Sequence, residues 1–349
     1  MGTFRFILAL AVLLSHLSGN IGGSIVNRES LHILVWSSNA VFAFFIISGF
    51  YMSLIINEKY AKLPDGTKRF YVNRALRLYP IHWTVLAIYV ALYFASGLPS
   101  FLTGHYREPF GRWLYAILSN VFLFGSEVLP FFDDANLKFV VGPVWSLSIE
   151  LYFYLLAPFV VGRSLRTLVV LCAVALAFRL TLYFSGAPMQ PWRYFFFPAD
   201  LVLFLLGSVS YRLYVALKDK PVTTWLGAGA AALLLACVVS PALWTAPDLD
   251  QPLSWLFAAC VGICTPLVFN LTRDWKLDNL LGHLSYPIFL SHVLVIGVVK
   301  RLDLQHVDKG LVALVATIAF SSVLYAFVDR PVERIRRRIG AAWDPHGAL

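Results

Sequence analysis

Arg5 and His16 lie eleven positions apart in the first apolar run of the chain. Eleven residues is close to three helical turns, so both fall on one helix face, roughly 16 Å apart along the axis. His16 then sits near the middle of a membrane span, where a neutral imidazole suits a general base. It can equally be a packing residue bonded to a neighbouring helix; the aligned Arg5 favours chemistry. Arg74 and Arg77 are three apart and therefore helix neighbours. Two readings are open for them: membrane-surface anchors that enforce topology, or a pair of guanidinium forks for phosphate. Glu150 follows Trp145-Ser-Leu-Ser-Ile about two turns into another apolar run. It either pairs with an intramembrane cation, for instance Arg179, or orients an acceptor hydroxyl and takes its proton. Asp200 reads best as an interfacial cap or ion-pair partner. His292 is a further ionisable residue within a span, and such residues point to function by default. Ser48 sits in Phe44-Phe-Ile-Ile-Ser-Gly-Phe50, a segment that reads mostly as packing, with Gly49 allowing close helix approach. It lacks the G-x-S-x-G context of a nucleophile elbow.

These side chains stand out because the chain around them is so apolar. Of 349 residues, 59% are hydrophobic and 13% charged, against about 25% charged in soluble domains. That composition excludes a water-soluble globule, a disordered chain, a coiled coil and a disulfide scaffold. It indicates an all-α, polytopic membrane helix bundle. Apolar runs near 4–22, 33–56, 79–98, 113–131, 144–161, 166–184, 198–217, 223–243, 253–271, 285–300 and 308–328 are candidates to span a bilayer. The first is expected to remain as a helix rather than act as a cleaved signal, because no A-x-A site follows it. Cys172, Cys237, Cys260 and Cys264 all lie in apolar runs without metal or disulfide spacing, so they are expected to be small buried hydrophobes.

The net charge of +9 reads as topology, since cytoplasmic loops collect Lys and Arg; no nucleic-acid partner is expected. Lys59, Lys62, Lys68, Arg69, Arg74 and Arg77 place segment 57–77 inside, and Arg330 to Arg338 do the same for the C-terminal end. Both termini inside require an even number of crossings. If 113–131 is partial or re-entrant, the basic groups at 163–166, 212–220 and 273–276 also fall inside, and the acidic 244–252 loop, with Asp248 and Asp250, falls outside. Ten crossings plus one partial segment follow. Lys300 and Arg301 remain on the outer side as an exception to the rule. The expected division is an integral-membrane domain over 1–335 and a cytoplasmic tail over 336–349.

The combination resembles the integral-membrane acyltransferase 3 family. The motifs that carry the resemblance are Arg5 with His16, Phe44 to Phe50, Arg74-x-x-Arg77 with Pro80, Trp145 to Glu150, Leu281-Gly-His-Leu-Ser-Tyr286 continuing to His292, and Asp329-Arg-Pro-Val-Glu333. Each is weak alone; six in order along nearly the whole chain are specific. Two positions depart from the family pattern: His82 stands where an aromatic is common, and Asp329-Arg-Pro replaces Glu-x-Pro, neither expected to touch the chemistry.

The resemblance implies a ten-helix core in a bacterial cytoplasmic membrane. It implies O-acyl transfer, an acetyl group above all, from cytoplasmic acyl-CoA to a sugar hydroxyl of a surface or lipid-linked glycan such as lipopolysaccharide or exopolysaccharide. No permanently bound cofactor and no metal are implied; acetyl-CoA is a co-substrate. Arg5, Arg74 and Arg77 would bind its phosphates, and His16 would act as base with Glu150 in the catalytic set. Ser48, Arg179 and His292 would lie on the substrate side. Direct transfer and an acyl-His16 relay are both open. The competing class is a transporter of a small polar or glycolipid substrate, against which the chain shows no internal repeat.

Overall fold

The computed structural model describes residues 1–21, 37–96, 110–132, 141–220, 223–240 and 250–343. Asp248 and the expected span ends at 22, 33–36, 97–98 and 241–243 lie outside them. The described chain is helical, with no strand among the described residues. In order the helices are α1 (Gly2–Asn20), α2 (Ser37–Glu58), α3 (Gly66–Ser96), α4 (Phe110–Phe122), α5 (Val144–Val160), α6 (Leu165–Phe184) and α7 (Phe197–Leu217). Then follow α8 (Thr223–Val238), α9 (Pro252–Thr272), α10 (Lys276–Arg301), α11 (Lys309–Leu324), a π-helical turn Tyr325–Asp329 and α12 (Arg330–Trp343). By length and composition, α2, α3, α6, α7, α9, α10 and α11 can cross a membrane, and α1, α5 and α8 are shorter apolar helices. These ten are the spans expected from the charges. The chain is thus an all-α polytopic helix bundle.

The helix α2 is apolar all round and largely buried, as a central helix must be. It crosses α7 at a backbone contact built from two glycines. A Cβ on Gly49 would fall 2.1 Å from the Phe204 carbonyl oxygen, and one on Gly207 would fall 1.9 Å from that of Ile46. Any larger side chain would force the helices apart. The peripheral α6 and α11 leave Val170, Val174, Val315 and Val323 exposed, which suits a lipid-facing position.

The segment expected at 113–131 is indeed the odd one. Helix α4 has 13 residues, about 20 Å of rise against about 30 Å of hydrocarbon. Its terminal carbonyls would be orphaned in an apolar setting, and α3 satisfies them. His82 donates to the Asn120 carbonyl at 2.8 Å, Trp83 to that of Val121 at 2.9 Å and Tyr79 to that of Phe122 at 2.8 Å. The chain then turns through Leu123 and Gly125, both with positive φ. A short 3-10 helix, Ser126–Phe131, follows. His82 therefore fastens α4, which is what this departure from an aromatic residue accomplishes here.

Helices α1 and α10 run side by side in the same direction. At one end, Asp278 accepts the amide N–H of Gly2 at 2.7 Å and of Thr3 at 2.8 Å, capping the start of α1. Gly2 and Gly282 permit the contact, since a Cβ on Gly2 would lie 1.7 Å from the Asp278 carbonyl oxygen. From Gly2 to His16 and from Asp278 to His292 the chain advances by the same number of residues. The two imidazoles consequently arrive at the same level.

Candidate active site

Two cavities follow one another along this bundle. The first, about 930 Å³, is lined by Arg5 of α1, Arg74 and Arg77 of α3, Glu150 and Tyr154 of α5, and Phe289 of α10, among others. The second, about 970 Å³, is lined by His16 and Asn20 of α1, Tyr89 of α3, and Val293, Gly297, Lys300 and Arg301 of α10. Helices α1, α3 and α10 each pass from the first cavity to the second. Phe289 lines one and Val293 the other, about 6 Å of helical rise. Between them stand Phe44 packed on Phe289, with ring centroids 5.6 Å apart, and Phe289 near His292 at 6.2 Å.

The shared direction of α3 and α10 settles the topology of α4. Parallel spans must be separated by an odd number of crossings. Six helices, α4 to α9, lie between them, and α4 is the one too short to cross. The Lys- and Arg-rich segments at 59–69 and 330–338 then fall at the same end of the bundle, beside the start of α1.

In the first cavity the three arginines differ in their partners. Arg77 is held by both oxygens of Asp329, at 2.7 and 2.8 Å, with its guanidinium over the Tyr286 ring at 5.5 Å. Asp329 therefore does touch the cationic site, contrary to the sequence reading. Arg74 donates to Asn73 Oδ1 at 2.7 Å, and Arg336 of α12 reaches the same oxygen at 2.8 Å. Arg74 Nε is buried and has no hydrogen-bond partner among the described residues. Arg5 makes no ion pair among the described residues and lies 5.9 Å from the Tyr51 ring centroid. The guanidinium charge thus exceeds what Asp329 neutralises, and two of the three forks keep donors for a ligand. Asn73, Tyr286, Asp329 and Arg336 went unassigned from sequence. The basic C-terminal segment was read as tail, yet α12 runs through position 336 and delivers Arg336 here.

Glu150 shares this cavity. One of its oxygens accepts from Ser48 at 2.5 Å and from Tyr154 at 2.6 Å. It does not pair with Arg179, one of the two roles open to it from sequence. Arg179 is fully buried in α6. It donates to Asp200 at 2.9 Å and to Asp250 at 2.6 Å, with Arg193 also on Asp250. That cluster ties α6, α7 and the segment before α9 together and contributes nothing to either cavity lining. Asp200 is the ion-pair partner expected; Arg179 is not on the substrate side, because both ends of its guanidinium are taken.

The two imidazoles meet at the second cavity. His16 Nδ1 lies 2.9 Å from the Val12 carbonyl oxygen and His292 Nδ1 lies 2.8 Å from that of Phe289. A carbonyl only accepts, so in the neutral rings each Nδ1 carries the proton. His292 Nε2 is then a lone pair, 3.3 Å from His16 Nδ1, and shares its proton with Val12. His16 Nε2 is left as a lone pair on a ring exposed to the cavity. His292 itself is fully buried, so it backs His16 and does not face the cavity as a substrate-side group.

The polytopic helix bundle thus holds guanidinium donors in one cavity and an imidazole in the next. The chain belongs to the acyltransferase-domain family, whose match spans residues 2–326. It is 25% identical to the acyltransferase MdmB of Streptomyces mycarofaciens, over 98% of this chain and 94% of that protein. It is 24% identical to nodulation protein 10 of Rhizobium leguminosarum bv. viciae, over 91% and 88%. With the O-acetyltransferase OatA of Staphylococcus aureus it shares 23% identity over 83% of this chain and 52% of that protein. No solved structure matches it. The protein is a multi-pass membrane acyltransferase.

Proposed function

We propose that the chain moves an acyl group, acetyl in the first instance, from acyl-CoA to a hydroxyl of a glycan, with His16 as general base. The observation that carries this reading is the succession of the two cavities along α1, α3 and α10. Phosphates of the donor would lie among Arg5, Arg74 and Arg77, with Glu150, held by Ser48 and Tyr154, lining the same cavity. The thioester arm would extend along α1 past the Phe44–Phe289 pair towards His16. The Lys- and Arg-rich end, which contains the donor cavity, is read as cytoplasmic by the positive-inside rule. The acceptor would then enter the second cavity from the opposite face.

In the transfer, the acceptor oxygen attacks the thioester carbonyl as its proton passes to His16 Nε2. The tetrahedral intermediate collapses with cleavage of the C–S bond. The departing thiolate takes the proton from His16, leaving the ester and free CoA. His292 and the Val12 carbonyl hold the Nδ1 proton that becomes part of the imidazolium, which keeps the ring in place. A hydroxyl acceptor is supported by kinship with a protein named O-acetyltransferase; its assignment to a glycan follows the family resemblance carried by the sequence motifs.

The test uses purified protein in proteoliposomes with labelled acetyl-CoA and a pool of surface glycans. Release of CoA and label uptake by wild type, lost in His16→Ala with CoA binding retained, is the expected result. Failure of the wild type to bind CoA would remove the donor assignment.

A further inference from the structure

The last span does not end where its apolar run ends. α11, the π-helical turn and α12 run on as one helix from Lys309 into the Arg-rich segment. In the apolar part, Leu311, Val315, Ala319, Val323 and Phe327 recur every fourth residue and are all exposed, as on a face that meets lipid chains. Beside that row, Ser322, Ala326, Arg330, Arg334 and Arg338 recur every fourth residue and are exposed too. This second row turns basic at Arg330, one turn beyond the last apolar position. From Arg330 to Arg338 the helix rises about 12 Å, enough to cross the roughly 5–8 Å of headgroup layer on one side of the hydrocarbon. The other charges of this segment point inward or to each other. Glu333 is held by Arg336 and Arg337, Arg336 reaches Asn73 at 2.8 Å, and Asp329 holds Arg77. Arg330, Arg334 and Arg338 make no ion pair among the described residues, and none of the described exposed side chains of α12 is acidic.

We infer that Arg330, Arg334 and Arg338 bind the phosphates of anionic phospholipids in the leaflet at this end of the bundle. Continuity names the occupant. The row that borders acyl chains at Ser322 and Ala326 borders their headgroups from Arg330 onward. The positive-inside rule accounts for charge at this end of the chain, but it selects no helix face. Here three arginines share the exposed row, while Arg336 turns inward. Guanidinium forks match phosphate oxygens. Each basic side chain near an anionic surface strengthens attachment about fivefold, and three together about 100-fold. The opposite face of the same helix supports the first cavity: Asp329 grips Arg77, and Arg336 shares the Asn73 oxygen with Arg74. Lipid held on one face therefore steadies the contacts that the other face makes with the cationic wall. Only this second consequence rests on the acyl-CoA reading of that cavity. The lipid stripe itself is independent of it.

The experiment uses the full chain in vesicles of phosphatidylcholine, alone or mixed with phosphatidylglycerol. Retention of labelled phosphatidylglycerol and of labelled phosphatidylcholine is compared at two salt concentrations. The proteins are the wild type, R330Q/R334Q/R338Q, the charge-conserving R330K/R334K/R338K, and K59Q/K62Q/K68Q, which removes three charges from the same end of the bundle. Wild type should prefer phosphatidylglycerol at least tenfold, less so as salt rises. R330Q/R334Q/R338Q should lose the preference, and the other two variants should keep it. Photoactivatable phosphatidylglycerol should also cross-link wild type within α12, a reading that needs no variant to fold. Equal retention of both lipids by wild type, a preference untouched by R330Q/R334Q/R338Q, or an equal loss in K59Q/K62Q/K68Q would overturn the stripe. Acetyl-CoA should bind wild type more tightly in the mixed vesicles, and R330Q/R334Q/R338Q should show no such gain. Equal affinity in both membranes would overturn the coupling. No acetyl-CoA binding in either membrane, with the lipid preference intact, would count against the donor reading and leave the lipid stripe standing.

Discussion

His292→Phe is expected to slow acyl transfer by roughly 2- to 12-fold, whereas His16→Ala is expected to slow it by about 100- to 10,000-fold. The difference follows from what each ring does. Phe keeps the volume of the fully buried His292 and removes one acceptor, Nε2, from His16 Nδ1 at 3.3 Å. The Val12 carbonyl, closer at 2.9 Å, still holds that proton. The carbonyls that His292 Nδ1 touches, Phe289 and Ile288, belong to α10 and keep their helical partners. The loss is therefore one modest hydrogen bond, about 0.5–1.5 kcal/mol, which converts to the fold-change above at about 1.4 kcal/mol per decade. Removing the base itself forfeits the larger contribution of proton transfer. The assay is single-turnover transfer of labelled acetyl groups in proteoliposomes, with acetyl-CoA binding measured in parallel. Neither ring lines the arginine cavity, so donor affinity should be the same in both variants. A loss in His292→Phe as large as that in His16→Ala would refute the assignment of roles. So would a loss below tenfold in His16→Ala.

Asp329→Ala should leave Arg77 without its bidentate partner and destabilise the protein by about 3–5 kcal/mol, the cost of breaking a buried pair; thermal unfolding in detergent reads this. Arg179→Met should destabilise by a similar amount, because Asp200 and Asp250 lose their shared cation, while acetyl-CoA binding by the folded fraction should be unchanged. A selective loss of substrate affinity with normal stability would return Arg179 to the site.

The apolar periodicity and the placement of Lys and Arg were enough to define an all-α bundle with ten spans and one partial segment. Both signals are local: a span needs only a run of apolar residues, and topology needs only the charges between runs. The pairing of Arg5 with His16 on one face was legible for the same reason, since helical pitch fixes it. The partners of the ionisable groups were not legible, because they come from helices far apart in sequence. Glu150 turned to Ser48 and Tyr154, Arg179 to Asp200 and Asp250, and Arg77 to Asp329. Each choice depends on which helix faces which, and that depends on contacts such as Gly49 with Gly207 and Gly2 with Gly282. His292 is recognisable from sequence as an ionisable residue in a span. Only the parallel run of α1 and α10, started by Asp278 on the amides of Gly2 and Thr3, brings it behind His16 and leaves His16 Nε2 as the free nitrogen.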